Sequence, residues 1–148
     1  MAFSNLGPCI TVLASTGLRQ YQAVDINSAG VLVNPSTYGE AIGILTSSGT
    51  TGSTGIAGST TSGSVQEVQL YGVAKVLAGS TAVATGDFLK AGTAGLVTPA
   101  TGTDVSASTS FLIGRALGSA SSTSIAGTTD VGSGEVIPVL IMPLGGKR

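Results

Sequence analysis

Apolar residues recur at every second position in short runs along this chain, and Gly, Ser, Thr, Asn or Pro interrupts each run. That period places successive side chains on opposite faces of an extended strand. Residues 9–14, 20–26, 31–33 and 40–46 read as strands on this basis. Residues 65–78 give the clearest pattern: Val68, Leu70, Gly72, Ala74, Val76 and Ala78 are apolar or small, while Glu67, Gln69 and Lys75 are polar. Gly72 marks a bulge or a bend within that run. Residues 86–89, 95–98, 111–117 and 136–142 follow as further strands. No 3.6-residue apolar period runs for two turns. The pattern predicts an all-β chain with a small barrel-like or sandwich-like body.

Two stretches of the chain echo each other. Ile42-Gly43-Ile44-Leu45 recurs as Ile113-Gly114-Arg115-Ala116-Leu117, and Ile56-Ala57-Gly58-Ser59-Thr60-Thr61 as Ile125-Ala126-Gly127-Thr128-Thr129-Asp130. Ala29-Gly30-Val31-Leu32-Val33-Asn34-Pro35 has a counterpart in Ala94-Gly95-Leu96-Val97-Thr98-Pro99. A repeat this long predicts two similar halves, at about 20–78 and 86–142, within one domain spanning 1–148. Residues 1–8 form an N-terminal arm ahead of the first strand. Residues 47–64 and 118–134 read as long Gly/Ser/Thr-rich loops, of the length that carries function. Ile56 and, at the matching place, Ile125 are candidates either to plug these loops onto the body or to touch a neighbouring chain.

The last strand departs from the alternation. Val136-Ile137-Pro138-Val139-Leu140-Ile141-Met142 is apolar on both faces. Pro138 has no N–H for a ladder, which predicts an edge strand. An edge with two apolar faces needs a cover. The chain's own long loops or a second subunit would supply one; in the second case Val136, Ile137, Val139 and Ile141 are the candidate oligomer contacts.

Composition narrows the partners. Charged residues are 9% of the chain, against roughly 25% in an average soluble domain. Hydrophobic residues hold at 42%, which is unlike the composition of disordered chains. The net charge of −1 is spread over isolated residues. With no basic patch to follow phosphates, direct nucleic-acid binding is not expected. No apolar run approaches the ~18 residues of a membrane helix. The start, Met1-Ala2-Phe3-Ser4-Asn5, lacks the positive region of a secretion signal, so synthesis in the cytoplasm is expected. Low surface charge favours association, so the chain is expected inside an assembly. The single cysteine, Cys9, cannot make an internal disulfide and is expected as a small buried apolar residue.

Chemistry is scarce. With no histidine, the commonest acid/base residue and metal ligand is missing. No serine sits in a Gly-x-Ser-x-Gly elbow, and no phosphate-binding loop occurs. The carboxylates of Asp25, Glu40, Glu67, Asp87, Asp104, Asp130 and Glu135 form no cluster in sequence. The expectation is no enzyme, no cofactor and no metal. Gly86-Asp87 ahead of Phe88-Leu89 predicts a tight turn in which the carboxylate accepts backbone N–H bonds.

The order of several motifs resembles one family. Gly72-Val73-Ala74-Lys75-Val76-Leu77-Ala78-Gly79-Ser80-Thr81-Ala82-Val83-Ala84-Thr85-Gly86-Asp87-Phe88-Leu89 is followed by Ala94-Gly95-Leu96-Val97, then Ile113-Gly114-Arg115-Ala116-Leu117, then the apolar strand from Val136 to Leu140. Together these resemble the capsid decoration, or cement, proteins of tailed bacteriophages, over residues 20–142. The resemblance implies a small β body docked outside an icosahedral head, on the major capsid protein. It also implies homotrimers and an arm whose grips would be Phe3, Leu6, Pro8 and Ile10. The 47–64 loop is longer and richer in Gly and Thr than that family leads one to expect. A fibre or adhesin subunit of a virion or cell surface is the alternative reading of an all-β, Gly/Ser/Thr-rich chain.

Overall fold

The alternating runs close into two five-stranded bodies placed one after the other. The computed structural model describes residues 7–35, 40–47, 60–79, 81–92, 94–102, 111–120 and 135–144. In the first body, β1 (Cys9–Ala14), β2 (Ala23–Ile26), β3 (Leu32–Val33), β4 (Gly43–Leu45) and β5 (Ser64–Gln69) form a closed barrel in the order β1-β3-β2-β4-β5. In the second, β6 (Gly72–Leu77), β7 (Phe88–Ala91), β8 (Val97–Pro99), β9 (Leu112–Ala116) and β10 (Val136–Leu144) form a sheet in the order β6-β10-β9-β7-β8. The fold is all-β.

The two bodies share one wiring and one register. Asp25↔Val33 and Ile26↔Leu32 in the first match Lys90↔Thr98 and Ala91↔Val97 in the second. Ala23↔Ile44 and Val24↔Gly43 match Phe88↔Arg115 and Leu89↔Gly114. Ile44↔Gln69 and Leu45↔Val68 match Arg115↔Leu140 and Ala116↔Val139. Leu13↔Val65 matches Leu77↔Val136. Even the seam corresponds. β1 and β3 run parallel and pair at Ala14↔Leu32, with the Ser15 N–H donating to Leu32 O at 2.9 Å. In the second body the closure is one isolated parallel bridge, Ala78↔Val97, with the Gly79 N–H donating to Val97 O at 2.8 Å.

The turns are matched too. Gly30 and Gly95 hold φ of 75° and 72° at the same place in the β2–β3 and β7–β8 connections. Tyr21 has φ of 66° where its counterpart Gly86 has 96°. A side chain in that region is strained, and glycine relieves the strain. The two turns are tied alike: Gln22 Oε1 accepts from the Arg19 N–H at 2.8 Å, and Asp87 Oδ2 from the Ala84 N–H at 2.9 Å. Asp87 thus makes the turn its sequence predicts.

The run 65–78 is two strands in different bodies, separated by Leu70-Tyr71, and Gly72, at φ 94°, opens the second. Its inward positions keep one parity across the break: Val68 faces the first core, Ala74 and Val76 the second. That continuity makes the run read as one strand. β6 therefore pairs with β10 rather than staying with the earlier strands.

Each body has its own apolar centre. Ala14, Leu18, Val24, Leu32, Leu45 and Val68 fill the first, with Ile10, Val12 and Ile26 packed against them. Ala74, Val76, Leu89, Val97, Ile113, Ala116, Ile137, Val139 and Ile141 are central to the second. Full burial of one such Leu or Ile contributes about 1.5–3 kcal/mol. Thr60, buried at the end of the first barrel, ties the 15–18 turn to the chain entering β5. Its Oγ1 accepts from the Leu18 N–H at 3.1 Å and donates to Ser15 O, and its backbone pairs with Leu18 and Gly17. Thr60→Val keeps the shape but strips both side-chain bonds. It should cost about 1–3 kcal/mol in denaturant unfolding, because one buried and one half-buried backbone group lose their partner.

β10 corrects an expectation. It lies inside the sheet, between β6 and β9, and is not an edge. Pro138 is tolerated there because its carbonyl turns towards Leu117, whose N–H it accepts at 2.9 Å, just past the end of β9. A strand residue turns its N and O to the same side, so the missing N–H falls where the ladder is already ending. Ile137, Val139 and Ile141 are covered by their own chain. Of the two covers the sequence leaves open, the intramolecular one serves this face.

Candidate interaction surfaces

Side chains of outward parity divide into those covered by the other body and those left open. Ala23 and Ile44 point away from the first core, yet both are fully buried and belong to the apolar cluster of the second body. Gln69, also of outward parity, is buried as well. Its Nε2 donates to Tyr71 O and Val73 O, each at 3.0 Å, and its Oε1 has no partner among the described residues. From the second body, Leu77 has outward parity but is 4% exposed. Two backbone bonds stitch this joint: the Leu77 N–H donates to Tyr21 O and the Ala23 N–H donates to Gly95 O, both at 2.8 Å. The Lys75 ammonium lies 6.0 Å from the Tyr21 ring centroid across the same joint, within reach of a cation–π attraction.

A cleft of about 190 Å³ opens beside the joint, lined by Arg19, Gln22, Asn34, Leu77, Ala94 and Leu96 among others. Its polar groups already serve each other, since the Gln22 amide bonds both the Arg19 N–H and Asn34 Oδ1. Nothing in it forms an acid/base couple. Among the described residues no three Cys, Asp or Glu gather as metal ligands.

The open outer face of the second body is apolar and basic. β10 contributes Val136, Pro138 and Leu140, β6 contributes Val73 and Lys75, β9 contributes Arg115, and β7 contributes Phe88 and Lys90. The Arg115 guanidinium lies 5.3 Å from the Phe88 ring centroid and its Nε donates to Gly86 O at 2.7 Å. This pair is fixed in place and facing outward. On the first body, Leu13 and Val65 stand exposed as cross-strand neighbours.

The residues singled out from sequence fall in different places. Phe3, Leu6, Ile56 and Ile125 lie outside the described residues. Pro8 is exposed, and its carbonyl accepts the Leu70 N–H at 3.1 Å. Ile10 packs against the first core from within β1, so it belongs to the barrel rather than to an arm. Of the candidate oligomer contacts, only Val136 is exposed. The joint residues Ala23, Ile44, Gln69 and Leu77 escaped sequence reading, because alternation reports only which face meets a strand's own core.

Cys9 is also corrected: it is exposed. It starts β1 with its side chain on the outer side, Sγ 3.6 Å from Gly7 O. Partial burial of the sulfur pushes the thiol above its ordinary value, and Glu67 raises it further through a hydrogen bond and its negative charge. The thiolate is the reactive form. Iodoacetamide should therefore label Cys9 more slowly at neutral pH than it labels a free cysteine. Glu67→Gln should lower the thiol's pKa and speed labelling several-fold, as followed by mass spectrometry.

Comparison with known proteins adds one fold. No protein-family model and no curated protein matches the chain. Among solved structures, the head fibre gp8.5 N base of bacteriophage phi29 superposes with a TM-score of 0.55 at 16% identity, over 95% of this chain and 97% of that one.

Proposed function

We propose that this chain is a structural protein of a bacteriophage head, one that docks on the outside of the shell and stabilises its mature form against packaged DNA. The observation that carries the reading is the likeness to the phi29 head fibre base, which extends over 95% of this chain and 97% of that one. The motif order that resembles capsid decoration proteins and the 9% of charged residues support it. The major capsid protein would be the partner.

No catalysis is needed. A subunit that binds only the mature lattice adds its binding free energy to that state alone. Self-association into a trimer would multiply modest contacts through effective concentration. An arm containing Phe3 and Leu6 could add backbone bonds at a coat-protein sheet edge, where affinity does not depend on charge.

A second reading rests on the same comparison. The phi29 protein is the base of a fibre, so this chain could hold a protruding element on the head rather than cement the shell. Electron microscopy of particles with and without the chain distinguishes these outcomes. The first reading predicts density lying on the shell and heads that burst more readily on heating when the chain is absent. The second predicts a protruding fibre lost with the chain and unchanged head stability. Absence of the protein from particles rejects both. Occupancy on heads should persist from low salt to about 0.5 M, past the screening of exposed ion pairs.

A further inference from the structure

The joint between the two bodies is a head-to-tail contact, and each of its two faces has a counterpart on the other body. Within the chain, an inserting face on the first body, Tyr21 O, the Ala23 N–H and Ile44, meets a receiving face on the second, the Leu77 N–H and Gly95 O, with Ala94 and Leu96 lining the cleft beside it. Because both bodies have the same register, each face has a counterpart on the other body. The second body's inserting face is Gly86 O, the Phe88 N–H and Arg115. The first body's receiving face is the Leu13 N–H, Ala29, Gly30 O and Val31.

Both counterparts are open. Leu77 is 4% exposed, whereas its counterpart Leu13 is 48% exposed; Ala23 is fully buried, whereas Phe88 is 36% exposed. Gly95 lies so close to Ala23 that a Cβ there would overlap the Ala23 carbonyl, whereas a Cβ on Gly30 meets nothing within 4 Å. The N–H groups of Leu77 and Ala23 are bonded across the joint, whereas Gly86 O, the counterpart of Tyr21 O, accepts from the Arg115 Nε of its own body at 2.7 Å. The receiving face keeps its chemistry in both places: Leu, Ala, Gly and an aliphatic residue at 77, 94, 95 and 96, and again at 13, 29, 30 and 31. Leu13 stands exposed next to exposed Val65, and adjoining exposed apolar side chains mark a contact surface.

We infer that the Phe88/Arg115 face of one copy receives the Leu13/Ala29–Gly30–Val31 face of a second copy of this chain, through the same backbone bonds and apolar contact that join the two bodies within one chain. Such a contact is heterologous, using different patches on the two copies, and it propagates into a ring or an open row. It moves the self-contact away from the buried side of β10. It deepens the self-association in the reading above and fails separately from it, because it is tested on the isolated protein without heads.

The test uses two variants, Phe88→Asp and Leu13→Asp, each spoiling one face. Sedimentation at micromolar concentration reads the mass, and circular dichroism with thermal melting checks that each variant remains folded. The unaltered chain should sediment as an oligomer and each variant alone as a monomer. An equimolar mixture of the two variants should give a species of twice the monomer mass and nothing larger, since one intact face of each kind remains. If either variant unfolds, Phe88→Ser and Leu13→Ser replace them in the same mixing experiment. An unaltered chain that stays monomeric overturns the inference. So do variants that still assemble fully, or folded monomeric variants that fail to pair on mixing.

Discussion

Gly114→Ala should abolish the cooperative fold or lower its stability by about 3 kcal/mol or more, at the upper end of overpacking costs. The residue's φ is not the cause. A Cβ at Gly114 would overlap the Leu140 carbonyl oxygen and lie 3.0 Å from the Ile141 Cα. Both obstacles are backbone of β10, a strand paired on both sides, so no side-chain rotation relieves the clash. β9 would have to separate from β10 and give up the pairs at Arg115↔Leu140 and Ala116↔Val139. Gly43 occupies the same register in the first barrel, where a Cβ would overlap Gln69 O and crowd Val68. Gly43→Ala should therefore fail in the same way. Denaturant unfolding followed by circular dichroism gives both values. A loss below about 1 kcal/mol at either site would show that the strands can spread at little cost.

The second large effect is a difference between two substitutions that look alike. Gly30→Ala and Gly95→Ala force alanine into nearly the same positive φ, a strain of roughly 1–2 kcal/mol. At Gly30 nothing else happens in the isolated chain, since the space is open. At Gly95 the new methyl would also collide with Ala23 O and with the Gln22 side chain, and would push apart the Ala23 N–H and Gly95 O bond. Breaking that buried bond adds about 1–3 kcal/mol. Gly95→Ala should thus lose about twice as much stability as Gly30→Ala or more, and its thermal transition should broaden as the two bodies melt separately. Equal losses would mean that the joint contributes little.

The inward faces were legible in the sequence because each barrel's core obeys a period of two. β1 has its expected bounds, and the positions Val68, Ala74 and Val76 all face a core. The two bodies were signalled by Ile42-Gly43-Ile44-Leu45 and Ile113-Gly114-Arg115-Ala116-Leu117, now known to be β4 and β9. The place where one body ends and the next begins was harder to see, because parity runs unbroken through Leu70-Tyr71. The echo of Val12-Leu13-Ala14 in Val76-Leu77-Ala78 carried that information. The joint left no periodic trace. Ile44 and Arg115 share a register, and the apolar against the charged side chain is the only local sign that one is covered and the other exposed. Gln69 misled for a related reason: a polar residue at an outward position reads as solvated, but here it spans two strands' ends inside a contact between bodies. Pro138 suggested an edge because the rule concerns its missing N–H, and only the pairing shows that it lies opposite Leu117, just past the end of β9.

The narrow seams have a consequence for motion. Each body closes between its first and third strands over a single residue pair, Ala14↔Leu32 in one and Ala78↔Val97 in the other. β1 and β5, by contrast, pair at six successive residues. Local opening follows the weakest ladder, so each barrel should breathe by unzipping at its seam while the long antiparallel pair stays shut. The amides of Ser15 and Gly79 should then exchange with solvent deuterium well before those inside β5 and β10. Docking that bridges a seam would slow these two amides selectively, giving a residue-level report of whether a partner clamps the barrels closed.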